Sequence, residues 1–445
     1  MTATTTAATA TTTAFRKRKI LMLSWEYPPV MVGGLGRHVH ALATTLARAG
    51  HDVTVATRHA PGAPLDEVVD GVRVVRAPAD PPVIPLDTEH LLAWAVAFNH
   101  TLTRTALHAA RGEGFELVHA HDWLVTHAAV TVKDYLGIPL VATVHATEAG
   151  RHQGWLPGDL NRGIHSIECW LAQEAARVLV CSQYMRREVS VLLGAPESKI
   201  DAVPNGVDMP RWRAEPKQIG LARAKYAGDG PLVGFAGRLV HEKGVQHLLH
   251  ALPELRRAHP GLRAVICGDG PNRGELEDLA RRLGLEHAVS FGGFVGSALS
   301  ATMAATDAMV VPSLYEPFGM VALEAAAAGA PLAVSATGGL AEIVEPGVTG
   351  MTFPARDEGA LARSVSALLE DRPGARRMVV TAKAMVRRRY GWRTVGEQTV
   401  AAYGAAVDGV VGGVGPVGLE ELWLGRQQPI AIPEGNLLAS AGLAA

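Results

Sequence analysis

The chain is 445 residues long, 48% hydrophobic and 19% charged, enough for two or three domains that each bury a core. Its formal net charge of -1 supplies no global positive field and argues against nucleic acid as a partner. Three widely spaced cysteines, Cys169, Cys181 and Cys267, form no CxxC pair; they support neither a zinc ribbon nor a disulfide framework and suit a reducing compartment.

Residues 1–14 are almost all Thr and Ala, have no core-forming pattern, and read as a disordered leader. The basic run Arg16 to Lys19 precedes an apolar run, Ile20–Leu23, that is too short for a signal peptide. No run approaches the ~20 apolar residues of a membrane span, so a cytoplasmic protein without integral membrane contact is expected. Short apolar runs then alternate with amphipathic stretches. Ile20–Trp25, Val53–Thr57, Leu117–Ala120, Leu140–His145 and Val178–Ser182 read as buried strands followed by helical patterns. This βαβ rhythm predicts a parallel sheet covered on both faces. It halts near Met209 to Gly230 and restarts with Leu232–Gly237, Ala264–Gly268, Val289–Phe291, Ala308–Pro312 and Leu332–Ser335. The reading is of an α/β protein with two doubly wound parallel-sheet domains, 15–211 and 212–391, and ligands in a cleft outside the strand carboxyl ends. From Glu358 to about Val410 the pattern is helical; the tail 411–445 has no assigned role.

Five segments carry chemistry. After the first strand, Gly33-Gly-Leu-Gly36 opens a helix running to Ala49, where backbone N–H groups and the helix dipole can meet a phosphate. The strand ending His119-Ala-His121-Asp122-Trp123 places His119 and His121 on one face. With His145 they could suggest a metal site. No carboxylate–histidine spacing accompanies them, so a hydrogen-bonding cluster at the cleft edge is expected, without a metal. Thr143-Val-His145 ends another strand, and its histidine can bond a sugar hydroxyl. In Gly237-Arg238 with Lys243, two close cations suit a diphosphate that gains charge as its bond to a sugar breaks. Finally, Glu316-Pro-Phe-Gly-Met-Val-Ala-Leu-Glu324 follows a strand and opens an Ala-rich helix. The N–H groups near Phe318, Gly319 and Met320 can bind hydroxyls or phosphate, and Glu324, read as about two turns into the helix, can take two ribose hydroxyls.

Together these residues resemble the large family of retaining GT-B glycosyltransferases that includes glycogen synthases and mannosyltransferases. The resemblance runs from about Lys19 to Val410 and is most specific at Glu316 and Glu324, with support from Pro204-Asn-Gly-Val-Asp208 and Gly268-Asp-Gly-Pro271. It implies two Rossmann-like domains: an N-terminal acceptor domain, and a C-terminal donor domain whose final helix, about 392–410, crosses back to the first. Arg238 and Lys243 would then hold the diphosphate, Glu324 the ribose, and Glu316 would stand by the transferred sugar with the N–H groups of Phe318 and Gly319. Gly33 and Gly34 would lie near the phosphate and His145 near the 6-hydroxyl, while Glu26, His119, His121 and Asp122 would line the acceptor side. The nucleotide-sugar is a substrate; no cofactor or metal is implied. The acceptor hydroxyl would attack the face the diphosphate leaves, with a phosphate oxygen taking the proton; the rival is a double displacement with Glu316 as nucleophile.

Ser24-Trp-Glu-Tyr-Pro-Pro29 and the His119–Trp123 segment most resemble the branch that elongates α-1,4-glucans, with ADP-glucose or UDP-glucose as donor. Bacterial members carry a lysine two residues before the double glycine, where this chain has Met31, which leaves the donor open. The alternatives are a GDP-mannose-dependent mannosyltransferase and, in a different class, a sugar-nucleotide epimerase on the same fold.

Overall fold

The computed structural model describes residues 16–81 and 83–411. The expected leader 1–14 and almost all of the tail lie outside the described residues. The first unit holds eight strands: β1 (Lys19–Leu23), β2 (Asp52–Arg58), β3 (Asp66–Val69), β4 (Val72–Ala77), β5 (Leu117–His121), β6 (Leu140–Val144), β7 (Arg177–Val180) and β8 (Ile200–Ala202). The second holds β9 (Leu232–Ala236), β10 (Arg263–Cys267), β11 (Val289–Gly293), β12 (Ala308–Val311), β13 (Leu332–Ser335) and β14 (Met351–Phe353).

The first sheet is ordered β3-β4-β2-β1-β5-β6-β7-β8 and the second β11-β10-β9-β12-β13-β14. Every pairing is parallel except β3 with β4, an antiparallel hairpin at the edge. The central strands are buried along most of their length and mainly apolar because both faces are covered. In β1, Ile20 and Met22 pack in one cluster with Val39 and Tyr403, while Leu21 and Leu23 pack in another with Phe98 and Leu102. Alternate residues thus serve opposite helical layers, the pattern of a doubly wound sheet.

Each sheet has one place where the winding reverses. In the first the reversal falls between β1 and β5, in the second between β9 and β12. Chains leaving two such strands turn to opposite faces and open a crevice at the carboxyl ends.

Four strands were not singled out from the sequence: β3, β4, β8 and β14. β3 is a short, mostly exposed edge whose acidic start breaks any apolar run, and β8 and β14 have three residues each at sheet margins. The helical stretch from Glu358 resolves into three helices, Glu358–Glu370, Arg372–Arg389 and Trp392–Val411. The last packs against the Gly34–Arg48 helix and against β6 and β7 of the first sheet. Its Tyr403 is fully buried, with the hydroxyl 2.7 Å from Nδ1 of His119.

Tyr403→Phe would remove that hydroxyl and leave a buried ring nitrogen unpaired, at a cost of about 1–3 kcal/mol. Denaturant unfolding should show a lowered midpoint at constant slope; an unchanged midpoint would remove the bond from the account of what holds the last helix.

Candidate active site

The two units meet through segments that follow strand carboxyl ends. After β7, Ser182 donates its hydroxyl to the carbonyl of Pro317 at 2.7 Å. The backbone N–H groups of Gln183 and Tyr184, opening the Gln183–Leu193 helix, donate to the two carboxylate oxygens of Glu342 at 2.9 and 2.7 Å. A carboxylate is favoured there because first-turn amides lack intrahelical acceptors and the helix dipole is positive. Tyr315 donates its hydroxyl to Glu188 at 2.8 Å, and Arg37 lies 3.6 Å from Glu324. The crevices of both sheets therefore face each other.

On the second wall, β9 ends at Ala236 and the turn beyond it carries Arg238, whose side chain is exposed, then Lys243. The Lys243 ammonium is 2.8 Å from Oε2 of Glu316, which also accepts the Ser313 hydroxyl at 3.1 Å. Glu316 is buried, so its charge depends on these partners. Backbone packing holds the pair in register. Leu314 N–H donates to the Glu242 carbonyl at 2.7 Å, and a Cβ on Gly244, which sits at φ +71°, would overlap the Pro312 carbonyl. Gly339 N–H donates to the Glu316 carbonyl at 2.9 Å, and a Cβ on Gly338 at φ +54° would overlap that same oxygen.

Beyond Glu316, Gly319 caps the Met320–Ala328 helix, whose first-turn N–H groups face outward from its start. The Phe318 ring is buried edge-on against Tyr390, so only its backbone is available to a ligand. Glu324 lies one turn into the helix, not two, because the helix starts at Met320. It is buried in an otherwise apolar helix. Burial pushes its carboxyl up to about 7, against the opposing pull of Arg37 and Arg211.

On the first wall, Gly33 caps the Gly34–Arg48 helix, and both Gly33 and Gly34 are exposed to the cleft side. Glu26, expected on the acceptor side, is instead buried and turned into its own loop: Oε2 accepts the N–H groups of Val32 at 2.8 Å and Gly33 at 2.9 Å. It shapes the glycine loop through that oxygen. Asp122 adopts φ +59°, rare for a side-chain-bearing residue, and accepts the N–H of His145 at 2.8 Å. Such strain, of order 1–3 kcal/mol, concentrates at functional sites.

The histidines divide differently from the expectation. His119 is fully buried with both ring nitrogens engaged, by Tyr403 and by the Thr143 hydroxyl, each at 2.7 Å. It is a structural residue and not part of the acceptor side; burial, with His145 nearby, lowers its ring to about 3. His121 instead groups with His145 and with His38 of the Gly34–Arg48 helix, one ring nitrogen of each lying within 4.8 Å of the others. Both nitrogens of His121, Nδ1 of His38 and Nε2 of His145 are buried without a protein partner. Burial first, and neighbouring histidines second, hold His38 and His121 well below the ordinary imidazole range, so both are neutral. Neutral imidazoles can donate or accept, which suits hydroxyl groups.

Sequence reasoning missed His38, Arg37, Ser313, Gly338 and the contacts through Ser182, Glu188, Tyr315 and Glu342. His38 and Arg37 follow the glycine loop directly and were legible as the first turn of its helix. The others depend on which loops meet in space.

Two facing switch points, a cation–carboxylate cluster on one wall and a glycine loop at a helix start on the other, define a two-domain GT-B transferase of nucleotide-sugars. Comparison with known proteins agrees: residues 32–211 match Glycosyltransferase Family 4 and residues 222–385 match Glycosyl transferases group 1. The glycogen synthase of Mycobacterium tuberculosis is 42% identical over 403 residues, covering 88% of this chain and 95% of the relative. Among solved structures, sucrose-phosphate synthase from Thermosynechococcus elongatus superposes with a TM-score of 0.74 at 24% identity, over 87% of this chain and 98% of the other. The catalytic domain of starch synthase IV from Arabidopsis thaliana, bound to ADP and acarbose, superposes at 0.69 with 19% identity, over 88% and 100%. The chain belongs to this glycosyltransferase family.

Glu324 gives a pH test. A carboxyl raised to about 7 is mostly protonated at pH 6 and mostly ionised at pH 8, and two hydroxyls are best accepted by the ionised form. Affinity for a nucleotide-sugar, whose diphosphate diester does not titrate there, should rise about tenfold from pH 6 to pH 8. Glu324→Gln should bind weakly and without that slope; an equal slope in the variant would mean that Glu324 does not hold the ribose.

Proposed function

We propose that the chain transfers glucose, with retention of anomeric configuration, from ADP-glucose or UDP-glucose to an α-glucan or related acceptor, forming an α-1,4 bond in the cytoplasm. The observation that carries this reading is the Lys243–Glu316–Ser313 cluster, set beside Arg238 at the carboxyl ends of β9 and β12. The 42% identity to a glycogen synthase supports the glucosyl assignment. Among the described residues no helix is long and apolar enough to cross a membrane.

In this reading the diphosphate lies against Arg238 and Lys243, with the Gly33–Gly34 loop and its helix start over it. Glu324 takes the ribose hydroxyls. The sugar lies between the N–H groups of Phe318, Gly319 and Met320 and the imidazole of His145. As the bond from the anomeric carbon to the phosphate oxygen breaks, negative charge grows on the leaving diphosphate beside cations already in place, which lowers the barrier. The acceptor hydroxyl attacks the face being vacated and its proton passes to a phosphate oxygen. Glu316 is a poor nucleophile for a double displacement, because Oε2 is held by both Lys243 and Ser313. Its role is to fix Lys243 and receive a sugar hydroxyl. The fixed cations do the work a metal does elsewhere, and no cofactor is required.

The deciding experiment is a donor panel of ADP-glucose, UDP-glucose and GDP-mannose, with glycogen and short maltodextrins as acceptors. Glucosyl transfer from one of the first two is expected; exclusive use of GDP-mannose would overturn the sugar assignment. Donor alone, followed by NMR, should give no new epimer. Turnover should survive EDTA. Lys243→Ala should lower kcat by about two orders of magnitude, about 3 kcal/mol of transition-state stabilisation, with the fold retained at a lowered unfolding midpoint because Glu316 loses its partner. Unchanged turnover in that variant would end the leaving-group role.

A further inference from the structure

Arg37 is the sole lysine or arginine between Lys19 and Arg48. It lies in the first turn of the Gly34–Arg48 helix, directly behind the glycine loop, with its side chain 45% exposed. Its Nη1 reaches across the cleft to 3.6 Å from Oε1 of Glu324.

We propose that Arg37 is a donor-binding cation: the arginine lies against Glu324, and in the donor complex the ribose hydroxyls take its place there and its guanidinium turns onto the diphosphate. The proposal rests on the nucleotide-sugar reading above and adds a ligand from the opposite wall.

Charge is the first argument. On the second wall Arg238 and Lys243 stand with Glu316 and Glu324, and Lys243 is already paired with Glu316 at 2.8 Å. With both carboxylates ionised, that wall has no net positive charge to offer a diphosphate that carries two negative charges and gains more as the sugar departs. The glycine loop offers only backbone dipoles, since its exposed side chains there are the apolar Met31 and Val32. Arg211 also faces Glu324, and Arg37 is the cation that can add charge from the helix behind the glycine loop.

Geometry is the second. Ribose and α-phosphate are neighbours in any nucleotide, so a guanidinium that reaches the ribose carboxylate reaches the diphosphate by rotation of its own side chain. A planar fork of donors also matches paired phosphate oxygens. Departure of Arg37 does not strand Glu324 as a lone buried charge: Arg211 faces it as well, and the ribose hydroxyls donate to it.

The test is calorimetry on the full chain with ADP and UDP, and with adenosine and uridine as phosphate-free controls. Arg37→Ala should weaken the better-bound diphosphate about tenfold, with nucleoside binding unchanged or tighter because Glu324 is no longer occupied. Arg37→Lys should recover part of the loss and Arg37→Gln little. The wild-type advantage should shrink as salt rises. Diphosphate binding in Arg37→Ala equal to or tighter than wild type would overturn the proposal, leaving Arg37 a mere occluder of Glu324. Loss of nucleoside and diphosphate binding in equal measure would also overturn it. A wild-type chain that binds neither diphosphate would take down the nucleotide-sugar reading itself, and the proposal with it.

Discussion

Everything in the cleft depends on two parallel sheets that each reverse their winding once, with the two reversals facing each other. Between β1 and β5 the chain opens the glycine loop on one side and the strained Asp122 turn on the other. Between β9 and β12 it opens the Arg238–Lys243 turn and the Glu316 loop. A crevice at such a point is built from backbone, so the groups that line it arrive fixed by strands and do not need to be gathered at the moment of reaction.

The Lys243–Glu316 pair shows what that fixing accomplishes. A lysine is a flexible point charge that loses much rotamer freedom when held. Here the loss is met in the folded protein, because a buried carboxylate holds the ammonium at 2.8 Å and glycines let backbone approach on both flanks. Removing the lysine would leave Glu316 buried and uncompensated, which is costly in any fold. The pair therefore fixes the ammonium and stabilises the loop that carries the carboxylate. Glu26 does comparable work on the other wall with its bonds to Val32 and Gly33.

Much of this was legible in the sequence, and the limits have physical reasons. The central strands announced themselves because a parallel strand buried on both faces is mainly apolar. β3, β8 and β14 did not, because a short or exposed edge carries too few buried positions. Arg238, Lys243, Glu316 and Glu324 stood out because their types and spacing suit a ligand's charge and hydroxyls, and the structure sets Lys243 against Glu316 and places Glu324 on the helix that follows. The histidines were half legible. Alternation along β5 put His119 and His121 on one face, but two residues along the strand separate a ring that meets Tyr403 from one that meets His38 and His145. Depth is a property of packing from the far side of the sheet, contributed by a helix more than 250 residues away in the chain. Glu26 was misjudged for a related reason: a carboxylate beside a glycine loop can serve a ligand or the loop itself, and only the path of the backbone decides.

The contacts that join the two walls explain why the site residues can be so precisely placed and yet admit a ligand. Ser182 holds the carbonyl of Pro317, the residue after Glu316, and Glu188 holds the hydroxyl of Tyr315, the residue before it. The first domain thus grips the Glu316 loop on both sides of the carboxylate. These bonds, together with Glu342 at its helix start, are single hydrogen bonds worth about 0.5–3 kcal/mol each. They add to apolar packing, since one buried cluster runs from Val180 and Met185 of the first domain to Phe318, Leu340 and Ile343 of the second. Packing sets the distance between the walls, and the hydrogen bonds, being directional, set the register of the Glu316 loop against the first domain.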